Sequence, residues 1–184
     1  FLALDKKFDV THSCLEVLTQ YRPGLVVAQT RSPMVISALP LLKMLGDRAV
    51  VSMPVESPHE SIIARYTPGQ PKIRERLIAA EGLRRQGIQV NLSASPILPY
   101  GDFYRDAWDF AALLSKHADF ITLGSLYSGV ENEEAMLRLV PLAQKLAADR
   151  QFRLLRPYSF RCLYYALKSI APEKLLLPTK VRRE

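Results

Sequence analysis

The chain has 184 residues, of which 48% are hydrophobic and 23% charged, and it carries a formal net charge of +7. That length suits one domain with a sizeable core, and that composition excludes wholesale disorder. Two cysteines, Cys14 and Cys162, exclude a disulfide scaffold, and no apolar run reaches the length of a membrane span.

A cytoplasmic, reducing setting is the natural expectation. The positive charge would suit a polyanionic partner, but the cations are scattered or gathered in the tail at Lys180, Arg182 and Arg183. No basic stripe follows one element, so a solvated basic surface is the expected reading. The sequence opens on Phe1, and we expect it to be a piece of a longer protein.

In chain order, residues 1–9 show no period. Thr11 is placed to cap a helix with Cys14, Leu15 and Leu18 on one side, ended by Pro23 and Gly24. Residues 24–30 form a continuous apolar run, the pattern of a strand buried on both faces. Ser32 and Pro33 then read as an N-cap and first turn. That helix carries Val35, Ile36, Leu39, Leu42 and Leu45 to Gly46, and Pro40 predicts a kink within it.

Residues 49–55 predict a second buried strand. Ser57 and Glu60 have capping-box spacing for a short helix to about Tyr66. Residues 67–99 hold the clearest grammar: a Pro/Gly entry, an amphipathic helix, a Gly stop and a strand closed by Pro96 and Pro99. Ile73, Leu77, Ala80 and Leu83 form the helix stripe, with Arg74, Arg76, Arg84 and Arg85 mostly off it. Gly87 sits where a helix end needs positive φ.

A helix over 102–118 is expected to bury Trp108, Ala111 and Leu114, and residues 119–128 form the fourth strand. A single helix over 131–148 follows, with Glu131, Glu133 and Glu134 in its first turn. The last helical candidate covers 160–170. We divide the chain into 1–150 and a helical extension, 151–184. Strands alternating with long helices imply βαβ crossovers and a parallel sheet. Four strands make either an open sheet or part of a barrel.

Chemistry in such sheets gathers at the carboxyl ends of the strands. Those ends carry Thr30, Arg31 and Ser32; Ser52, Pro54 and Glu56; Asn91, Ser93, Ser95 and Pro96; and Ser125, Tyr127 and Ser128. Hydroxyls with one arginine and one carboxylate suit a polar or anionic ligand. The plainer alternatives are a surface arginine, a serine satisfied by backbone, and a solvated Glu56. His12, His59 and His117 show no metal spacing, and there is no Gly-rich phosphate loop. Tyr158, Phe160, Tyr164 and Tyr165 alternate with Arg153, Arg156 and Arg161. They either stack bases or pack a tail helix against the sheet edge, and packing is the expected reading.

Three segments taken together, THSCLEVLTQYRPGLVVAQTRSP, VVSMPVES and YTPGQPKIRERLIAAEGLRRQGIQVNLSASPILP, carry a resemblance. They resemble, in order, the later part of radical SAM proteins of the spore photoproduct lyase-like group, over residues 9–128. The shared pieces are a T-x-x-CLEVL helix, a strand ending T-[KR]-S, a strand ending in serine, an EPG-x-P helix with an RL pair, and a strand finishing A-P-[IV]-x-P. Thr67 stands where that pattern has glutamate.

The resemblance implies an α/β fold, a partial (β/α) barrel with about four parallel strands (strands three to six) and helices outside. It implies S-adenosylmethionine (AdoMet) and a 4Fe–4S cluster in the full-length parent, and reductive cleavage of AdoMet to a 5′-deoxyadenosyl radical. No CxxxCxxC occurs here, so this chain by itself is expected to lack the cluster and to be inactive. Cys14 falls on a cysteine that does not ligate the cluster. By position Arg31, Ser52, Arg76 and Ser93 are the expected cofactor-binding residues, with no metal ligand among them. An unpaired edge at residues 24–30 would allow self-association. The alternatives are a non-redox α/β module holding an anionic ligand with Arg31 and Arg76, and a basic nucleic-acid-binding protein.

Overall fold

A single parallel sheet runs in strictly sequential order through β1 (Val26–Gln29), β2 (Ala49–Pro54), β3 (Gln89–Ala94), β4 (Phe120–Leu123) and β5 (Leu175–Leu176). The computed structural model describes residues 9–21, 23–126 and 133–176. The four predicted strands are all present. The addition is β5, whose two residues are too few to leave a periodic signal.

Between the strands lie α1 (Val10–Gln20), α2 (Leu39–Leu45), α3 (Glu60–Tyr66), α4 (Ile73–Arg85), α5 (Asp106–His117), α6 (Glu133–Leu139), α7 (Pro141–Ala148) and α8 (Arg161–Ile170). Right-handed crossovers in a sheet that never reverses its order put the connecting helices on one face. The register separates the side chains in the same way. Val51, Met53, Val90, Leu92, Ala94 and Ile121 lie side by side on one face, each 0% exposed. The other face carries Val27, Gln29, Ser52, Asn91, Ser93 and Thr122.

That division corrects the reading of the first strand. Residues 24–30 look buried on both faces, but β1 alternates between half-buried and exposed, and Val27 is 55% exposed. The strand lies at the sheet edge and leaves Val27 and Gln29 exposed, so its apolar run is a poor guide to double burial.

Several helix ends also differ from expectation, each for a local reason. Asp9, not Thr11, precedes α1, in a left-handed conformation with no side-chain cap. Ser32 Oγ does accept from Met34 N at 3.3 Å, but the first turns, Pro33–Ala38, are 3-10. Pro40 therefore falls in the first turn of α2, where its missing N–H costs nothing, and no interior kink is needed. The capping box at Ser57 does not form. Ser57 Oγ accepts from His59 N and donates to Pro99 O at 2.7 Å, while Glu60 Oε1 accepts from Arg74 N. The single helix expected over 131–148 breaks at Val140, since Pro141 begins a new one.

The α4 stripe is buried as read: Ile73, Leu77, Ala80 and Leu83 are at most 9% exposed. Glu75 Oε2 caps its start by accepting from Lys72 N at 3.1 Å, and Gly87 takes φ 79 beyond its end. Trp108 departs from its predicted stripe. It is 52% exposed, while Ala111 and Leu114 are buried as expected, beside Ala107 and Phe110. Against that face α8 packs Leu163, Ala166 and Leu167, leaving Tyr158 and Tyr165 exposed. The tail helix thus packs on a helix mainly through aliphatics, with Phe160 and Tyr164 partly buried against the core. Among the described residues no helix is long and apolar enough to cross a membrane.

Candidate ligand site at the strand ends

Backbone pairing beyond the strands draws the carboxyl ends together. Thr30 N donates to Ser52 O at 2.9 Å, Val55 N to Ser93 O at 2.9 Å, and Leu98 N to Glu56 O at 2.8 Å. Arg31 thus follows directly on the last bond of the β1–β2 ladder, and Glu56 is pinned by the chain returning after β3. Gly124 lets the ends of β3 and β4 approach. A Cβ there would lie 2.8 Å from Ser95 Cβ and closer still to its Oγ.

Charge concentrates at this corner. Glu56, only 1% exposed, accepts from Arg31 Nε at 2.8 Å and Arg31 Nη2 at 2.6 Å, both on Oε1. Its Oε2 accepts from Arg76 Nη1 at 3.0 Å. Glu56 is therefore neither a solvated charge nor free to act as a base. It is a buried carboxylate between two guanidiniums.

Arg76 reaches inward from α4, fully buried, despite its place off the apolar stripe. It also donates to Pro54 O and Pro71 O, each at 2.9 Å, which ties the end of β2 to the loop before α4. Burial pulls its pKa down and the Glu56 charge opposes that pull. Its Nη2 finds no acceptor among the described residues. Thr67 takes no part, its hydroxyl donating to Ile63 O. Arg31 differs from Arg76 in being 35% exposed.

A polar row crosses the second face of the sheet beside this corner. Asn91 Nδ2 donates to Ser52 Oγ at 2.8 Å and to Thr122 Oγ1 at 3.1 Å, joining β2, β3 and β4. Whichever way the amide is turned, one end meets both hydroxyls and the other lacks a partner among the described residues. Ser93, 8% exposed, stands on the same face two residues nearer the carboxyl end.

The structure therefore brings Arg31, Ser52, Ser93 and Asn91 to one end and one face, with Arg76 behind them. Ser95 and Pro96 lie just beyond β3, and Tyr127 and Ser128 lie outside the described residues. Sequence reading undervalued Glu56 and Thr122. The spacing of Glu56 two residues past the last residue of β2 was the available signal, and Thr122 gave none.

Metal donors do not converge. Cys14 is exposed on α1 and Cys162 lies on α8, and among the described residues no three of His, Cys, Asp and Glu could hold an ion together. These residues do not fit a 4Fe–4S cluster, which needs thiolates grouped around it. They do fit a polar organic ligand. An open groove of about 280 Å³ on the helical side, between α3, α4 and α5, contains none of the predicted site residues.

Sequential parallel order with an apolar face and a polar second face defines a singly wound, partial (β/α) barrel, a class in which ligands gather at the strand ends. No protein-family model matches the sequence, and no curated protein matches it. The structure itself is similar to a solved structure of a mutant spore photoproduct lyase with bound AdoMet and a dinucleoside spore photoproduct. The TM-score is 0.60 at 12% sequence identity, over 94% of this chain and 56% of that one. The fold is thus α/β, a partial barrel of the radical SAM type with five parallel strands, and the chain spans a little over half of that lyase.

Proposed function

We propose that this chain is the AdoMet-binding part of a radical SAM enzyme, taking the cofactor on the polar face at the carboxyl ends of β1 to β3. One observation carries the reading. The half-exposed Arg31 stands at the rim of a face lined by Ser52, Asn91, Ser93 and Thr122, in a fold that in a similar lyase accompanies bound AdoMet.

Each residue has a role suited to its chemistry. The Arg31 guanidinium forks onto the carboxylate of the methionine end, and the Ser52 and Ser93 hydroxyls reach ribose hydroxyls. The unmatched end of the Asn91 amide supplies a further hydrogen bond. Arg76, wholly buried, touches no ligand and acts from behind through Glu56. These residues bind and orient. Cluster thiolates would have to come from residues other than the described ones, so no reductive step is assigned to this chain.

Calorimetric titration with AdoMet tests the proposal. Saturable one-to-one binding is expected, weakened at least about tenfold by Arg31→Ala, the loss of one charge-assisted fork. Absence of binding, or full affinity in the Arg31→Ala protein, would refute it.

A second reading has its own observation. Arg161 stacks over Tyr158 at 5.8 Å, and Arg153 over Phe103 and Tyr104 at 4.5 and 4.9 Å, on a surface where Tyr104 is 72% and Tyr158 65% exposed. Such rings suit stacked bases. Salt-sensitive binding of a single-stranded oligonucleotide that is lost in Tyr158→Ala would support a nucleic-acid partner, and no binding at low salt would remove it.

A further inference from the structure

We infer that Glu56 is a positioning residue that presents Arg31 to a singly charged carboxylate group, with Arg76 as the buried counter-charge that leaves the corner one positive charge for that group to meet. The inference rests on the AdoMet-site reading above and goes beyond it by assigning a residue that touches no ligand.

The geometry of the guanidinium carries the argument. An arginine offers five N–H donors in a planar fork. Glu56 Oε1 occupies the edge made by Nε and Nη2, at 2.8 and 2.6 Å. The edge made by Nη1 and the second Nη2 hydrogen has no acceptor among the described residues, and Arg31 is 35% exposed. That edge has the spacing to grip both oxygens of a second carboxylate. A flexible arginine would have to be ordered on binding; this one is already held through two bonds to a buried group.

Charge points to the same ligand class. Arg31, Arg76 and Glu56 sum to +1, so one carboxylate brings the corner to zero, whereas a phosphate dianion overshoots it. Without Arg76, Glu56 and the incoming carboxylate would repel each other across a single guanidinium. Arg76 Nη1 on Oε2, at 3.0 Å, offsets that repulsion from the protein side. The Glu56 main chain is held as well, its backbone carbonyl accepting from Leu98 N at 2.8 Å.

The test separates positioning from simple electrostatics, because the two predict opposite signs. Glu56→Gln removes a negative charge beside the site, so electrostatics alone would tighten carboxylate binding. Positioning predicts that AdoMet affinity falls about tenfold or more, and that AdoMet and decarboxylated AdoMet then bind alike. Glu56→Gln leaves Arg76 buried without a counter-charge, so Glu56→Gln/Arg76→Met is made alongside, removing both charges. Loss of carboxylate preference in either folded variant supports the inference. Unchanged or tighter AdoMet binding in a folded variant overturns it.

If the wild-type chain binds neither compound, the AdoMet reading fails, and the Glu56 claim is read by NMR instead. An Arg31 Nε–H that exchanges slowly in wild type and fast in the double variant supports it. Equal exchange in both overturns it.

Discussion

Removing the Arg76 side chain tests the buried corner apart from any ligand. Arg76→Ala deletes hydrogen bonds to Glu56 Oε2 at 3.0 Å and to Pro54 O and Pro71 O, each at 2.9 Å. It leaves Glu56, 1% exposed, with one half-exposed partner. Breaking a buried pair from one side costs about 3–5 kcal/mol. Each buried carbonyl that loses its donor adds about 1 kcal/mol or more, though these losses overlap.

A total of about 4–6 kcal/mol is a large share of the roughly 5–15 kcal/mol that holds a domain folded. The melting temperature should drop by about 10–20 °C, at about 2–4 °C per kcal/mol for a chain of this size. Urea unfolding followed by circular dichroism measures the loss. Arg76→Met/Glu56→Gln should recover much of it, because a buried pair replaced as a unit is often neutral. A loss under about 1 kcal/mol for Arg76→Ala, or a double variant no better than the single, would refute the buried-charge account.

Other consequences follow from single sites. Gly124→Ala places a methyl 2.8 Å from Ser95 Cβ and 3.6 Å from Ser95 Cα, so it should cost about 1–3 kcal/mol in urea titrations. Ser95→Gly in the same protein should relieve most of that. Phe110→Ala, at a position 0% exposed in the α5 face that α8 covers, should cost about 3–5 kcal/mol by the same assay. Asp149 binds Arg65, with Nε to Oδ2 at 2.6 Å, and accepts from Tyr66 Oη at 2.7 Å. Those bonds hold its pKa at about 2, below the ordinary 3.8. A depressed carboxylate contributes stability that is present above pH 4 and lost as pH falls from 4 toward 2. Melting curves across that window should therefore fall more steeply for wild type than for Asp149→Asn, and parallel curves would contradict the pairing.

What the sequence made legible is the part governed by local pattern. The α4 stripe, the Gly87 stop and the four longer strands follow from apolar period and turn residues that act over a few positions. The misreadings share a cause in tertiary context. Continuous apolar character in residues 24–30 does not reveal that one face of β1 stays exposed. Helical spacing put Arg76 off the stripe, and only the approach of Glu56 from β2 draws it inward. Trp108 belonged to the stripe by period, but α8 covers the neighbouring face through Leu163 and Leu167. The site was legible as a set of strand ends. Its central carboxylate was not, because burial of Glu56 depends on two arginines 25 and 20 residues away in sequence.

Chemical-shift mapping of the chain titrated with AdoMet tests the central claim most directly. Shifts concentrated at Arg31, Ser52, Asn91, Ser93 and Thr122, with Ile78 and Leu113 on the helical side unmoved, are the predicted result. Saturating AdoMet that moves only the helical-side groove, or nothing at all, would contradict the account.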